Sequence, residues 1–153
     1  MKDGPGRSAR DAGPSETRGP IRVPIREESD VAIARQCARE LAGREGFREA
    51  GAAAIATAVS EVARNIVVHA GAGEVLLGVV KERGRRGVVV VARDDEPGIS
   101  NVEEAMQDGY STSGGLGLGL PGARRLMDDF TLASAIGTGT IVTMKKWVHD
   151  PDE

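Results

Sequence analysis

Residues 74–93 read EVLLGVVKERGRRGVVVVAR, the clearest structural pattern in this chain of 153 residues. Two apolar runs, at 74–81 and 87–93, flank the short polar segment 82–86, and this arrangement predicts two strands joined as a β-hairpin. The valines at 88–91 show no alternation with polar residues. We therefore predict a central strand here, covered on both faces or nearly so.

Further strands are predicted on either side of this hairpin. Residues 21–25 (IRVPI) alternate apolar and polar side chains, and Pro24 restricts such a strand to the edge of a sheet. Towards the C-terminus, strands are predicted at 131–135 and 140–148, with a turn at Gly137-Thr138-Gly139 between them.

Apolar stripes at helical spacing occupy the segments between the strands. Residues 31–41 predict a helix that ends at Gly43, and residues 47–69 predict a longer one. A short capped helix is predicted at 100–109, and Pro121 suits the first turn of a last helix. The residues predicted to face the core are Ile55, Val59, Val62, Ala63 and Ile66 in the long helix, and Leu120, Ala123, Leu126, Met127 and Phe130 in the last one. Strand hairpins separated by helices predict an α+β fold with a mixed sheet, and not a repeating βαβ unit.

The N-terminal residues 1–20 contain four glycines and three prolines but no Ile, Leu, Val or aromatic residue. Such a segment has no apolar surface to offset the entropy of ordering, so we predict a disordered tail, with a partner-binding arm as the alternative. The folded domain is predicted at 21–148, and residues 149–153 form a short C-terminal tail.

Charge and composition exclude several classes of protein. The net charge is −3 and there is no long basic run, which argues against a nucleic-acid-binding protein. The single cysteine, Cys37, excludes an internal disulfide and favours a reducing compartment. We expect no membrane span, because no uninterrupted apolar stretch approaches about 18 residues, and no signal peptide. We therefore expect a cytoplasmic protein.

The glycine-rich segment 113–122 (SGGLGLGLPG) leads directly into the last predicted helix. Glycines let backbone N–H groups approach a phosphate closely, and a helix N-terminus favours an anion. Gly117, Gly119 and Gly122 match a GxGxxG pattern, although neither a preceding strand nor a Walker lysine accompanies it. Phosphate binding and a flexible loop both remain open from this pattern alone.

Polar residues interrupt the apolar long helix at Glu61, Asn65 and His69, which follow one another at intervals of four and therefore share a face. A carboxylate and an amide projecting together suit cation coordination and the positioning of an attacking hydroxyl. The alternative is a solvated polar stripe, with His69 interacting favourably with the helix C-terminus.

A third polar group, Asp94, follows the valine-rich strand within the segment RDDEPG at 93–98. An acid at the end of a central strand is well placed to accept a hydrogen bond from a ligand amine, although Asp, Pro and Gly also form ordinary turns. Gly137-Thr138-Gly139-Thr140 has the same two interpretations, a hairpin turn or a ligand contact.

In this order the four segments resemble the nucleotide-binding boxes of the GHKL ATPase superfamily. Within it, Ser60-Glu61-Val62-Ala63-Arg64-Asn65-Ile66 and the run at 108–128 are similar to the serine protein kinases of the RsbT and RsbW type, with 108–128 closer to the RsbT type. The resemblance covers about residues 21–148. It departs from the family at Glu96, where the box Asp-x-Gly-x-Gly has its middle glycine, and this departure puts ATP affinity in doubt.

The resemblance implies a two-layer α/β sandwich of the GHKL (Bergerat) type, with a mixed sheet and helices on one face, that binds ATP or ADP with Mg²⁺. Glu61 matches the catalytic base, Asn65 the magnesium ligand and Asp94 the acceptor of the adenine amino group, which Thr140 supports. The phosphates are expected within a glycine-rich lid. The remaining expected nucleotide contacts are Gly98, Ser113, Gly114, Gly115, Leu116, Gly117, Leu118 and Gly119.

The resemblance also implies partners. Kinases of this type phosphorylate STAS-domain antagonist and scaffold proteins (RsbS- or RsbR-like) in stressosome-type partner switching, and when released they activate a PP2C-type phosphatase (RsbU-like). Two alternatives remain: a partner-binding module whose catalysis Glu96 weakens, and an RsbW-like anti-sigma factor.

Overall fold

The computed structural model describes residues 20–94, 119–135 and 139–149. Almost all of the predicted N-terminal tail, the capped helix at 100–109 and the turn residues Gly137 and Thr138 lie outside these residues. In chain order the described elements are β1 (Ile21–Ile25), α1 (Glu28–Arg44), α2 (Glu49–Asn65), a π-helical turn (Ile66–Ala70), β2 (Gly73–Glu82), β3 (Arg85–Asp94), α3 (Gly119–Leu126), β4 (Asp129–Ala135) and β5 (Gly139–Trp147).

The five strands form one sheet in the order β1-β2-β3-β5-β4, with β3 in the centre and β1 at the edge, as predicted. The prediction of a mixed sheet is wrong for these strands, because all four pairings are antiparallel. The helical connection after β3 does bring the chain back so that β4 runs parallel to β3. However, β5 lies between them, so no parallel pair is in contact within the described sheet.

The turn between β2 and β3 is shorter than the five-residue loop predicted from the sequence. The ladder continues to the pair Glu82 and Arg85, which leaves only Arg83 and Gly84 in the turn. Their φ angles are 53° and 81°. Two successive residues with positive φ are what a two-residue hairpin turn requires to match the twist of its strands.

Helix α1 passes the position at which its end was predicted. Gly43 lies within the helix, which continues to Arg44, and Gly46 instead adopts the positive φ of 98° that reverses the chain. Gly46 suits this place because glycine has no Cβ to oppose a left-handed backbone.

Helix α2 and the π-helical turn supply the centre of the core. The five residues predicted to face inward are all buried: Ile55, Val59, Val62, Ala63 and Ile66. The continuous helical segment Glu49–Ala70 also has the length and apolar composition of a membrane span, contrary to expectation. Half of its most apolar window is buried inside the protein, and core packing against α1, α3 and the sheet accounts for that composition.

Helix α3 buries Leu120 and Ala123 as predicted. Met127, which follows the helix, is also buried, whereas Leu126 is only half-buried. Phe130, which was predicted on the same helical face, lies in β4 instead. The helix ends at Leu126 because the chain enters its pairing with β5 at Asp129, so tertiary pairing overrides the helical spacing.

The helices cover one face of the sheet. On β3, Val88, Val90 and Ala92 face the helices and are buried, whereas Val89 and Val91 face the open side and are only half-buried. The prediction of a central strand is confirmed. Coverage of both faces, or nearly so, was also predicted, but only the side chains that face the helices are fully buried. Because side chains alternate along a strand, Asp94 at the end of β3 shares the helix-facing side with Ala92.

Candidate functional site

One residue from each strand contributes to a row that crosses the whole sheet at the end of β3. Direct strand pairing connects each member to the next: Ile25, Gly73, Asp94, Thr140 and Ser134. We call this set the cross-sheet row. The alternation along each strand places the row on the helix-facing side of the sheet.

The polar half of the cross-sheet row is joined by hydrogen bonds. The Thr140 backbone N–H donates to Asp94 Oδ1 at 3.3 Å, and the hydroxyls of Ser134 and Thr140 are 2.9 Å apart. Thr140 is buried, and Ser134 and Asp94 are half-buried. The hydrogen bond from Thr140 therefore helps to orient the Asp94 carboxylate.

Gly73 allows the chain to pack closely at this point. A Cβ atom on Gly73 would lie 2.2 Å from the Arg93 carbonyl oxygen and 2.9 Å from Ile66 Cγ2. Real Cβ atoms do not approach other atoms so closely, so only glycine lets β2 reach both the end of β3 and the π-helical turn. Gly73 therefore sets the spacing between Asp94 and the helix layer.

The helix layer faces the row with Asn65 and the π-helical turn that follows it. A π-helical turn is rare and frequently occurs at functional sites. Asn65 Nδ2 donates to the carbonyl oxygen of Glu61 at 3.1 Å, which leaves the amide oxygen of Asn65 as the group able to ligate a cation. Asn65 ends α2, and the wider turn then carries His69 and Ala70.

A cleft lies between this layer and the row, enclosing about 440 Å³ of space including the part that opens to solvent. Its polar side chains are Asn65, His69, Asp94 and Thr140, and its apolar ones are Val62, Ile66, Ala70, Ala92, Leu120 and Val142. An apolar floor with a few polar groups at one edge suits a flat aromatic ligand that carries hydrogen-bonding groups on its rim.

His69 occupies the cleft with its imidazole partly buried. Burial lowers the pKa of His69 below its ordinary value, because the charged form loses hydration. The sequence pointed to His69 only through its spacing of four from Asn65, and its place in the cleft was not predicted.

The structure brings together three of the predicted site residues, Asn65, Asp94 and Thr140, around one cleft. Glu61 lies one helical turn before Asn65 and does not line the cleft formed by the described residues. Its carboxylate is 3.9 Å from Arg64, which also pairs with Glu28 at 3.3 Å. The role of Glu61 as a base stays a prediction.

Most of the predicted lid lies outside the described residues. The lid was predicted at 111–119, and its expected contacts outside the description are Ser113, Gly114, Gly115, Leu116, Gly117 and Leu118. Glu96, the position that departs from the family, and Gly98, both of the Asp94 box, lie outside it as well. Gly119 is described and begins α3, and Leu120 beside it lines the cleft.

The residues present fit the two groups that the resemblance implies. The apolar floor and the Asp94 edge fit a purine, and the amide oxygen of Asn65 is a ligand that Mg²⁺ accepts together with phosphate oxygens and water. Within 20–94, 119–135 and 139–149, no three His, Cys, Asp or Glu side chains gather as a metal site.

Comparison with known proteins agrees with this geometry. The model of the histidine kinase-like ATPase domain family matches residues 23–146. The serine/threonine-protein kinase RsbT of Bacillus subtilis is 47% identical over 127 residues, which are 83% of this chain and 96% of that protein. The chain belongs to the histidine kinase-like ATPases, in their RsbT-type kinase branch.

This RsbT-type kinase also matches more distant proteins. The anti-sigma F factor of a Geobacillus species (strain WCH70) is 34% identical over 101 residues, or 61% of this chain and 68% of that protein. In fold, the kinase matches a crystal structure of the RsbU and RsbW domains of a Mycobacterium tuberculosis protein, with a TM-score of 0.58 and 18% identity. The match covers 88% of this chain and 34% of that one.

These findings confirm the predicted two-layer fold, the family and the enzyme class of this RsbT-type kinase. Three residues of the row, Ile25, Gly73 and Ser134, were not predicted as part of the site. The pairing of Ser134 with Thr140 could have been found by centring the last hairpin on Gly137, which puts these residues opposite each other. The place of Gly73 depends on the register between β2 and β3.

Proposed function

We propose that this kinase binds ATP in the cleft beside Asp94 and transfers its γ-phosphate to a serine or threonine of a STAS-domain antagonist or scaffold protein. When released from that partner, it activates a PP2C-type phosphatase, in a cytoplasmic partner switch. The observation that carries the proposal is the convergence of Asn65, Asp94 and Thr140 on one cleft, in a chain 47% identical to RsbT along nearly the whole of that protein.

Adenine recognition would depend on the edge of the cleft. The Thr140 backbone N–H donates to Asp94 Oδ1, and the Asp94 carboxylate would accept a hydrogen bond from the exocyclic amino group. Such a bond to an ionised acceptor is stronger than one between neutral groups. The apolar side chains of Ile66, Ala92 and Val142 would cover the faces of the ring.

Phosphoryl transfer requires positioning and neutralisation of charge more than covalent chemistry. Asn65 would hold Mg²⁺, which supplies neutralisation of the phosphate charge when it is bound. Glu61, one turn before Asn65, would accept the proton of the attacking hydroxyl. The backbone N–H groups of the glycine-rich lid would bind the phosphates.

Titration calorimetry with ADP and ATP, each with and without Mg²⁺, tests nucleotide binding. We expect Asp94→Asn to weaken binding about 10- to 100-fold, because it removes a charged hydrogen-bond acceptor. Asp129→Asn is the matched control: it makes the same chemical change in β4, where Asn retains an acceptor for Trp147 Nε1. Equal nucleotide affinities in the unchanged protein, Asp94→Asn and Asp129→Asn would overturn the assignment of Asp94.

Phosphate transfer from labelled ATP to a purified STAS-domain partner tests catalysis. We expect Asn65→Ala to abolish transfer with the fold intact, because the bond lost is local to the helix and Ala favours helices. We expect Glu61→Gln to abolish transfer while leaving ADP affinity close to that of the unchanged protein. Full transfer by either variant would contradict its assigned role.

Two further results would select the alternatives. Nucleotide binding without transfer to any STAS partner would favour a binding module, and Glu96→Gly should then increase nucleotide affinity. Stable association with a sigma factor would favour an anti-sigma role like that named for the Geobacillus relative.

A further inference from the structure

Ser134 in β4 lies directly opposite Thr140 in β5, at the end of the cross-sheet row. Their hydroxyl oxygens are 2.9 Å apart, and either hydroxyl has the geometry to donate. Ser134 does not line the cleft itself, whereas Thr140 does. Its hydrogen bond to Thr140 gives Ser134 an indirect route by which it can affect a bound nucleotide.

The direction of this hydrogen bond determines what Thr140 offers to a ligand. A hydroxyl has one hydrogen to donate and two lone pairs that accept. If Thr140 donates to Ser134, its hydroxyl can only accept from a ligand. If Ser134 donates to Thr140, the hydrogen of Thr140 is available to the cleft.

The two purines require opposite arrangements at this edge. Adenine presents its amino group as a donor next to N1, an acceptor, whereas guanine presents the O6 acceptor next to the N1–H donor. Asp94 is an acceptor beside Thr140, at 3.3 Å from its backbone nitrogen. An acceptor with a donor next to it complements adenine, and for this Thr140 must donate.

We propose that Ser134 is a positioning residue of the base site: it donates to Thr140 Oγ1, so that the Thr140 hydroxyl donates towards N1 of adenine, directly or through one water. Ser134 thereby contributes to the preference for adenine over guanine. The inference rests on the proposed function, because it takes Asp94 as the acceptor of the adenine amino group.

The test compares the affinities of ADP, GDP and 1-deaza-ADP, in which a C–H group replaces N1, measured by titration calorimetry with Mg²⁺. We expect Ser134→Ala to weaken ADP binding about five- to tenfold, the effect of losing one well-placed neutral hydrogen bond. It should leave the affinity for 1-deaza-ADP within about twofold, because that ligand has no N1 acceptor to lose. The ratio of ADP to GDP affinity should decrease.

Ser134→Val and Ser134→Thr form a matched pair that differs only in the hydroxyl, and both side chains suit a strand. We expect Val to behave like Ala and Thr to restore ADP affinity. Thr131→Ala is the control: it removes a hydroxyl from the same hairpin, but on the open face of the sheet, where Thr131 pairs with Thr143. It should change the affinity for neither ADP nor 1-deaza-ADP.

The possible outcomes separate the two proposals. Equal weakening of ADP and 1-deaza-ADP by Ser134→Val would show a merely structural role and overturn this inference. So would ADP binding that none of the Ser134 variants changes. Absence of ADP binding by the unchanged protein would overturn the proposed function, and the role of Ser134 with it.

Discussion

The two ends of the sheet use their polar side chains differently. Where β3 ends at Asp94, polar side chains border a cleft. Where β3 begins, a different set of polar side chains forms hydrogen bonds with one another and with the backbone. Trp147 Nε1 donates to Asp129 Oδ2 at 3.1 Å, and Trp147 N donates to Asp128 Oδ2 at 2.8 Å. Arg86 Nη2 donates to the carbonyl oxygen of Glu45 at 3.0 Å. We call this the closed end and the other the cleft end.

The closed end also stabilises the helix that borders the cleft. Lys146 Nζ donates at 2.9 Å to the carbonyl oxygen of Leu126, the last residue of α3, where a cation also interacts favourably with the helix dipole. Arg85 lies over the Trp147 ring, 4.1 Å from its centroid. The difference between the ends teaches that the same strands carry two separate tasks: one end is held together by bonds within the protein, and the other presents polar groups to a cleft.

The largest expected effects come from adding a methyl group to one glycine at each end. Gly73→Ala would bring a Cβ within 2.2 Å of the Arg93 carbonyl oxygen, and Gly87→Ala would bring one within 2.3 Å of the Lys146 carbonyl oxygen. The backbone must shift in both, so we expect each to lower the free energy of unfolding by about 3 kcal/mol, measured by urea denaturation.

The two glycine variants should differ in nucleotide binding. Where both are still folded, Gly73→Ala should weaken ADP binding, because it displaces Asp94 and Ile66, and Gly87→Ala should not. Equal ADP affinities in the two variants would contradict the distinction between the ends.

A smaller effect is expected from Trp147→Phe at the closed end. The change removes the donor to Asp129 and leaves space beside Gly87, so we expect a loss of about 1–2 kcal/mol in the free energy of unfolding. Unfolding should be followed by circular dichroism, because this variant loses the single tryptophan of the chain and with it the tryptophan fluorescence signal. A change of more than about threefold in ADP affinity would be inconsistent with a closed end separate from the site.

A still smaller effect, of opposite sign, is expected near the closed end from Gly43→Ala. Nothing lies within 4 Å of an added Cβ, and Gly43 is inside α1, so the free energy of unfolding should increase by about 0.5–1 kcal/mol. Gly46→Ala is its counterpart and should be destabilising, because Gly46 has a φ of 98°. Thermal melts that ranked the two variants in the reverse order would show that the helix end was misassigned.

The smallest effect concerns pH at the cleft end. Burial lowers the folded-state pKa of His69 below the value of 6.5 that an unfolded chain gives it. The unfolded state then binds the proton more readily, so the contribution to stability is complete above about pH 6.5 and is lost as the pH falls below it.

Urea denaturation between pH 7 and 5.5 measures this slope, which His69→Gln should reduce. His149→Gln changes the other histidine, an exposed side chain close to the closed end, and serves as the control. A slope that His69→Gln leaves unaltered would argue against burial of this imidazole.

Much of the fold followed from apolar periodicity. The central hairpin, the edge strand with Pro24 and the buried stripe of α2 were all predicted, because burial on one face leaves a period of two or 3.6 in the sequence. The turn at Arg83 and Gly84 was not, since a positive φ is unusual for arginine. Phe130 was misplaced because its spacing suits a helix equally well.

The site was less accessible from the sequence than the fold. Asn65 and Asp94 could be found because a polar residue interrupts an apolar helix or follows an apolar strand. Gly73 and Ser134 belong to the site only through strand register, which apolar patterns on a single strand do not encode. The π-helical turn that carries His69 depends on backbone hydrogen bonding, which leaves no recognisable pattern of residue types.

The cross-sheet row takes its five residues from five separate strands, so it exists only when every strand pairing has formed. Nucleotide affinity is therefore coupled to completion of the sheet, including edge strands that do not touch the ligand. By mass action, a nucleotide present at 100 times its Kd stabilises the folded state by about 2.7 kcal/mol. Backbone amides of β1 and β4 that exchange with solvent through global unfolding should then exchange about 100-fold more slowly, so the nucleotide acts as a folding ligand for the whole kinase.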